Sequence, residues 1–97
     1  MDQGILILLK SYDISHAEIQ SMINIAPMLD VTTEKEFTEN CLLLIEYGYP
    51  KSDLDVLFLA NPNIFIRSPQ DLKNDLQKLH KKYDDIEMVL KQNPTII

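Results

Sequence analysis

The chain has 97 residues, with 15 acidic and 9 basic side chains and a net charge of −6. This length corresponds to one domain that can form a core without disulfides or metal. A single cysteine excludes an internal disulfide and a cysteine-based zinc site, and two glycines are too few for a phosphate-binding glycine loop. The acidic balance disfavours a general nucleic-acid coat protein, which must neutralise phosphates.

The first element is an apolar run at residues 5–9. Five apolar residues are too few for a signal peptide or a membrane span, so we expect a cytoplasmic protein without membrane contact. The run could form a buried strand by composition, but no second strand candidate is available to pair with it. At an offset of 35 residues along the chain, the run matches residues 42–44, which lie in a convincing helical pattern. We therefore predict a helix over 4–12.

Helix starts mark the next two elements. Ser15 with Glu18, and Thr33 with Glu36, are each spaced as a capping box, in which the two residues satisfy free backbone N–H groups reciprocally. They predict helices over 15–25 and 33–47.

The later elements are bounded by prolines and acidic caps. A helix over 50–60 is predicted to end before Pro62. Ser68 followed by Pro69 is typical of the start of a helix, here over 69–82. Asp84 is predicted to cap the last helix, over 84–92.

Three prolines, at 27, 62 and 94, recur at intervals of 35 and 32 residues. Apolar residues stand eight, five and four positions before each of them, which places them on one face of a helix. Pro27, Pro62 and Pro94 therefore act as structural helix terminators. The interpretation is an all-α, short helical-repeat array of two and a half helix-pair units, at about 4–31, 33–66 and 69–97.

The same periodicity predicts the core. Its candidates are Leu9, Ile19, Ile23, Phe37, Cys41, Leu44, Leu54, Leu57, Phe58, Leu72, Leu76, Leu79, Ile86 and Leu90.

This pattern resembles a known repeat. A longer helix is followed by Gly48-Tyr49-Pro50, a helix ending at Asn61-Pro62, the segment Ile64-Phe65-Ile66-Arg67-Ser68 and a helix with leucines at 72, 76 and 79. Together they resemble the repeat of the mitochondrial transcription termination factor (mTERF) family, over residues 5–97. The resemblance implies a curved helical solenoid, as a short, acidic relative of bacterial type. It also implies nucleic-acid binding, which many members perform in a basic concave groove.

Charge is unevenly distributed along the chain. Residues 1–48 contain two lysines and eight acidic residues, for a net charge of −6, whereas 67–82 has five bases and two acids. Those bases are the candidates for phosphate contacts: Arg67, Lys73, Lys78, Lys81 and Lys82. The same pattern also fits the helix dipole, which favours acids at a helix start and bases at its end.

No group of residues indicates catalysis, a metal site or a cofactor. Cys41 lies on an apolar face and is predicted to be a small core residue. His16 is predicted to be an exposed residue in the first turn of a helix, and His80 extends the basic helix without a fellow ligand. We therefore predict a non-enzymatic binding module that docks a protein partner through an exposed helical face. The acidic half could attract a basic partner. Nucleic-acid binding through 67–82 is the alternative, and the apolar Ile96-Ile97 end allows self-association.

Overall fold

A computed structural model describes all 97 residues, which fold into six α-helices without a strand. The expectation of an all-α fold is confirmed, and each predicted helix is present. No helix is long and apolar enough to cross a membrane. The helices are α1 (Gln3–Ser11), α2 (His16–Ile25), α3 (Glu34–Glu46), α4 (Leu54–Ala60), α5 (Pro69–Lys82) and α6 (Ile86–Gln92).

The helices pack in two rows. The longer α3 contacts both α1 and α5, and the shorter α4 contacts both α2 and α6. Two 3₁₀ helices, Pro27–Val31 and Pro62–Ile66, follow α2 and α4 and are called the first and second proline turns below. The second proline turn touches α2, α3, α4 and the first proline turn, so it joins the two rows. The buried apolar side chains form one continuous cluster.

The chain leaves α2, α4 and α6 with the same local geometry. The residue before each proline has φ between −127° and −152° and ψ of 76° to 79°. Its N–H still donates to the carbonyl four residues back, at 2.8 Å in all three cases. Proline excludes helical dihedral angles from the residue before it, and this ends each helix at the same point. The three residues are Ala26, Asn61 and Asn93.

The C-termini of α1 and α3 also share a geometry, 35 positions apart. After α3, Gly48 adopts φ of 99°. Its N–H donates to the carbonyl of Ile45, and the N–H of Tyr49 donates to the carbonyl of Leu44. After α1, Asp13 adopts φ of 59° and donates to Lys10. Both ends are left-handed caps, a conformation that only glycine adopts without steric cost.

This pair of caps gives a prediction with opposite signs. Asp13→Gly should raise the free energy of unfolding by about 1 kcal/mol, and Gly48→Ala should lower it by about 1 kcal/mol, because a β-carbon disfavours the left-handed region. A β-carbon at Gly48 would meet no atom within 4 Å, so only the backbone conformation matters there. Urea denaturation measures both changes. Shifts in the same direction would contradict the assignment of both residues to left-handed caps.

The helix starts confirm some sequence predictions and correct others. Ser15 and Glu18 form the predicted capping box, with both reciprocal bonds present. Thr33 caps α3 through its hydroxyl, but the Glu36 carboxylate binds that hydroxyl rather than the Thr33 backbone, so the second box is incomplete.

Two further predictions are corrected. The predicted cap at Asp84 is wrong: the carboxylate of Asp85 accepts from the Met88 N–H at 3.0 Å. A cap at Asp84 would start the helix at Asp85, whereas α6 starts one residue later, at Ile86. The side chain of Ile86 is buried in the core, and this fixes the start of the helix. Among the predicted core residues, Ile23 is only partly buried.

One carboxylate links the starts of two helices. Asp2 accepts from the Gly4 N–H at 2.8 Å and from the Glu34 N–H at 3.0 Å, and these lie in the first turns of α1 and α3. The hydrogen bonds from Glu34 and then Gly4 lower the pKa of Asp2 below its usual range. Asp2 thereby fixes α1 beside α3.

Replacing Asp2 with asparagine should make stability less dependent on pH. The amide offers one acceptor oxygen for two N–H donors, so Asp2→Asn should be less stable than the original chain at neutral pH. A lowered pKa stabilises the fold above the ordinary carboxyl range, and that contribution is lost as pH falls through the folded-state value. The difference in melting temperature between the two proteins should therefore shrink under acid. A difference that is constant with pH would contradict this role.

Candidate docking surface

A groove runs between α1 and α3. The α3 side chains that line it, at 34, 38, 41, 42 and 45, have the spacing of one helical face. Asp2 holds the starts of the two helices together at one end of this groove. Its apolar lining consists of Leu8, Tyr12, Cys41, Leu42, Ile45 and Leu54, and it is also lined by Glu34, Thr38 and Lys51.

A second groove lies on the other side of α3, against α5. It is lined by Glu39, Leu42, Leu43 and Glu46 from α3, and by Pro69, Gln70 and Lys73 from α5. The two grooves have similar volumes, about 280 and 240 Å³, so Leu42, which lines both, forms a ridge between depressions of nearly equal size. We call Leu42 and the linings of these two grooves the α3 face.

Two large apolar side chains are exposed on α3 and α1. Leu42 is 58% exposed, and Ile7, the neighbour of Leu8 on α1, is 67% exposed. An exposed apolar side chain beside grooves that are partly lined by apolar residues is a candidate contact for a partner. The other exposed large apolar residues lie on α2, the first proline turn, α4 and α6: Ile25, Met28, Val31, Val56, Leu59 and Met88.

The charge of α3 is not neutralised within the protein. The helix carries four glutamates and one lysine, and none of these five side chains forms an ion pair. The molecule has four ion pairs. They join the N-terminal ammonium group of Met1 to Asp30, Arg67 to Asp75, and Lys91 to both Asp53 and Glu87. The carboxylates of Glu34, Glu39 and Glu46 are therefore available to a partner, whereas that of Glu36 accepts from the Thr33 hydroxyl.

The lysines predicted for nucleic-acid contacts line three different grooves. Lys73 lines the groove between α3 and α5, and Lys81 lies beside Tyr47 and His80. Lys78 and Lys82 do come together, at a groove that Asp75 also lines.

Arg67 is engaged inside the fold. Its guanidinium bonds to the Asp75 carboxylate and donates to the Ile97 carbonyl at 3.2 Å. Ile96 and Ile97 pack partly buried against the core. Arg67 is thus engaged with Asp75, whereas the four lysines of α5 form no ion pair.

Sequence reasoning missed the α3 face, although a signal was present. The face that carries Phe37, Cys41 and Leu44 was assigned to the core, and all three are buried. Leu42 follows Cys41 directly, and one step along a helix is a rotation of about 100°. Its position outside the core stripe was the available sign that it is exposed.

Cys41 is a packed thiol, in keeping with its predicted role. It is 5% exposed, and burial raises its pKa to about 12. A thiol that stays protonated at neutral pH is a poor nucleophile. No group of three or more His, Cys, Asp or Glu side chains is placed to hold a metal ion.

The chain matches no protein-family model, no curated protein and no solved structure.

The protection of Cys41 can be measured directly. In the folded protein at pH 8, we expect iodoacetamide to label Cys41 at least ten times more slowly than in urea, because each unit by which burial raises the pKa of the thiol reduces its thiolate fraction about tenfold. Mass spectrometry of timed samples gives both rates. Equal rates in the two conditions would show that the thiol is exposed.

Proposed function

We propose that this protein is a non-enzymatic binding module whose α3 face docks a protein partner. The observation that carries the proposal is Leu42, an exposed apolar side chain between two grooves on a rigid helix. Because Leu42 is 58% exposed, covering it with an apolar contact contributes about 1–2 kcal/mol, enough for its truncation to weaken binding measurably.

We further propose that the chain is a short helical-repeat array with mTERF-like units. Support comes from the two rows of helices, and from the equal backbone geometry before all three prolines. The left-handed caps at Asp13 and Gly48, 35 residues apart, add to it. In such arrays, partners bind along the face that successive helices share, and here α1, α3 and α5 would form that face.

Nucleic-acid binding through α5 is the weaker alternative. Four lysines of α5 form no ion pair, which favours it, but they line three different grooves and Arg67 is engaged with Asp75. If it is correct, fluorescence anisotropy should detect binding of duplex DNA or single-stranded RNA that weakens with salt. A Lys81→Glu/Lys82→Glu variant should then bind more weakly.

The proposal can be tested by affinity capture from the source cells with matched variants. Leu42→Ser removes the ridge, and Met88→Ser is the control, since Met88 is 51% exposed on α6, in the other row. Circular dichroism and urea denaturation establish that both variants fold. Proteins retained by the original chain and by Met88→Ser, but lost with Leu42→Ser, are the expected result.

Two outcomes would contradict docking at the α3 face. One is that Leu42→Ser retains the same proteins in the same amounts as the original chain. The other is that nuclease treatment removes every retained protein, which would favour the nucleic-acid alternative.

A further inference from the structure

We infer that the α3 face takes a basic amphipathic helix, with two lysine or arginine residues seven positions apart and an apolar residue between them. This inference rests on the proposed function and specifies the chemistry of the partner. It follows from the order of charged and apolar side chains along α3.

Glu39, Leu42 and Glu46 form one stripe of α3. They stand at positions i, i+3 and i+7, and all three line the groove between α3 and α5. Seven residues of helix place the two glutamates about 10.5 Å apart along the axis, with Leu42 between them. Neither carboxylate is paired within the protein. A partner must therefore offer an apolar group flanked by two positive charges at that separation.

The charge around this stripe is negative despite nearby lysines. Lys73 lines the same groove from α5, and Lys51 lines the groove on the other side of α3. Against them stand Glu39, Glu46 and Glu34, and α3 as a whole has a net charge of −3. Residues 1–48 have a net charge of −6. A basic segment is attracted by this field and an acidic one is repelled.

The spacing favours a helix over a strand as the docking segment. On a helix, residues at i, i+3 or i+4, and i+7 share one face, which is the anchor pattern of helices that bind in grooves. In a β-strand, a span of about 10 Å corresponds to three residues, and side chains three residues apart point to opposite faces. Only the helix presents both charges and the apolar residue to α3 together.

Three synthetic peptides test the inference. The first is a 15-residue alanine-based helix with one leucine between two lysines at i and i+7. The second has glutamates in place of the lysines. The third has the composition of the first with the order scrambled, so that it lacks the charged and apolar stripe. Fluorescence anisotropy at low and near-physiological salt measures the affinity of each for the full chain.

Matched variants locate the binding. Glu39→Gln/Glu46→Gln removes the two charges of the stripe. Asp84→Asn/Asp85→Asn removes two exposed charges that form no ion pair and lie just before α6, and asparagine preserves the cap at position 85. We expect the basic peptide to bind in preference to the other two. The first variant should weaken this binding about tenfold, and the control should change it less than about twofold.

The outcomes separate this inference from the proposed function. Equal binding of the acidic or scrambled peptide, equal weakening by the control variant, or no binding of the basic peptide would overturn the inference. If Leu42→Ser still abolishes protein capture in any of those cases, the α3 face remains a docking surface for a partner of different chemistry. If Leu42→Ser changes neither capture nor peptide binding, the proposed function fails as well.

Discussion

Replacing Phe58 with alanine is expected to lower the free energy of unfolding by about 3–5 kcal/mol. Phe58 belongs to α4, and its side chain is fully buried. Its ring meets Tyr12 and Phe65 edge-on, with ring centres 5.4 and 4.7 Å away, and lies tilted against Phe37 at 5.5 Å. Tyr12 directly follows α1, Phe65 belongs to the second proline turn and Phe37 to α3. Phe58 thus connects the two rows of helices.

The size of this effect follows from the dependence of α4 on tertiary packing, in which Phe58 is its largest buried side chain. A helix of seven residues has almost no stability of its own, so packing of its apolar face determines whether it forms. The substitution would leave a cavity and remove three aromatic contacts, each worth about 0.5–1.5 kcal/mol beyond the buried area. A domain of this size is stable by about 5–15 kcal/mol, so the variant should lose a large part of its stability.

Urea denaturation followed by circular dichroism measures the loss. Phe58→Leu fills most of the space and should cost less than Phe58→Ala. Leu59→Ala, at the adjacent position that is 39% exposed, should cost less than about 1 kcal/mol. A Phe58→Ala variant within 1 kcal/mol of the original chain would show that the aromatic cluster is not the connection between the rows.

Local signals in the sequence were sufficient to place the helices. Ser15 and Ser68 accept from the backbone N–H groups that their capping motifs predicted, and the chain leaves α4 just before Pro62. These signals act between residues at most four positions apart, so they can be recognised without knowing the tertiary structure. For the same reason, they placed the last cap at Asp84 instead of Asp85, because the burial of Ile86 decides where α6 begins.

The surface could be predicted less well because it depends on contacts between distant segments. Residues 42–44 are three consecutive leucines, yet Leu44 is buried, Leu43 is partly buried and Leu42 is exposed. The core stripe of α3 indicates that Leu42 points away from the core, but the positions of α1 and α5 decide whether another segment covers it. Arg67 likewise counted as part of a basic segment, although its guanidinium is bound by Asp75 and by the carbonyl of Ile97.

Asn40 shows the same dependence, because its function in the fold is set by a segment 25 residues away. It is fully buried in α3, and its side-chain amide donates to the carbonyls of Phe65 at 3.1 Å and Arg67 at 2.9 Å. These carbonyls lie where the chain leaves the second proline turn for α5. The Oδ1 atom of Asn40 is buried without a hydrogen-bond partner. The NH₂ group is therefore what makes asparagine suitable here, since it provides two donors.

Asn40→Asp is expected to cost more than about 3 kcal/mol at neutral pH. The shape is nearly unchanged, but both donors are lost and a buried negative charge faces two carbonyl oxygens. Asn40→Leu should cost about 1–3 kcal/mol, because it leaves the two carbonyls unsatisfied without adding a charge. The difference between the two variants isolates the effect of the charge.

The dependence on pH distinguishes a buried charge from a general loss of packing. Burial raises the pKa of a carboxyl, so the folded Asn40→Asp variant would bind a proton more tightly than its unfolded chain does. Its stability relative to the original chain should therefore rise as pH falls through the raised folded-state value towards the ordinary carboxyl range. The same comparison for Asn40→Leu should be independent of pH. Urea denaturation of all three proteins between pH 4.5 and pH 8 tests this, and a stability gap for Asn40→Asp that does not shrink under acid would mean that its carboxylate reaches water.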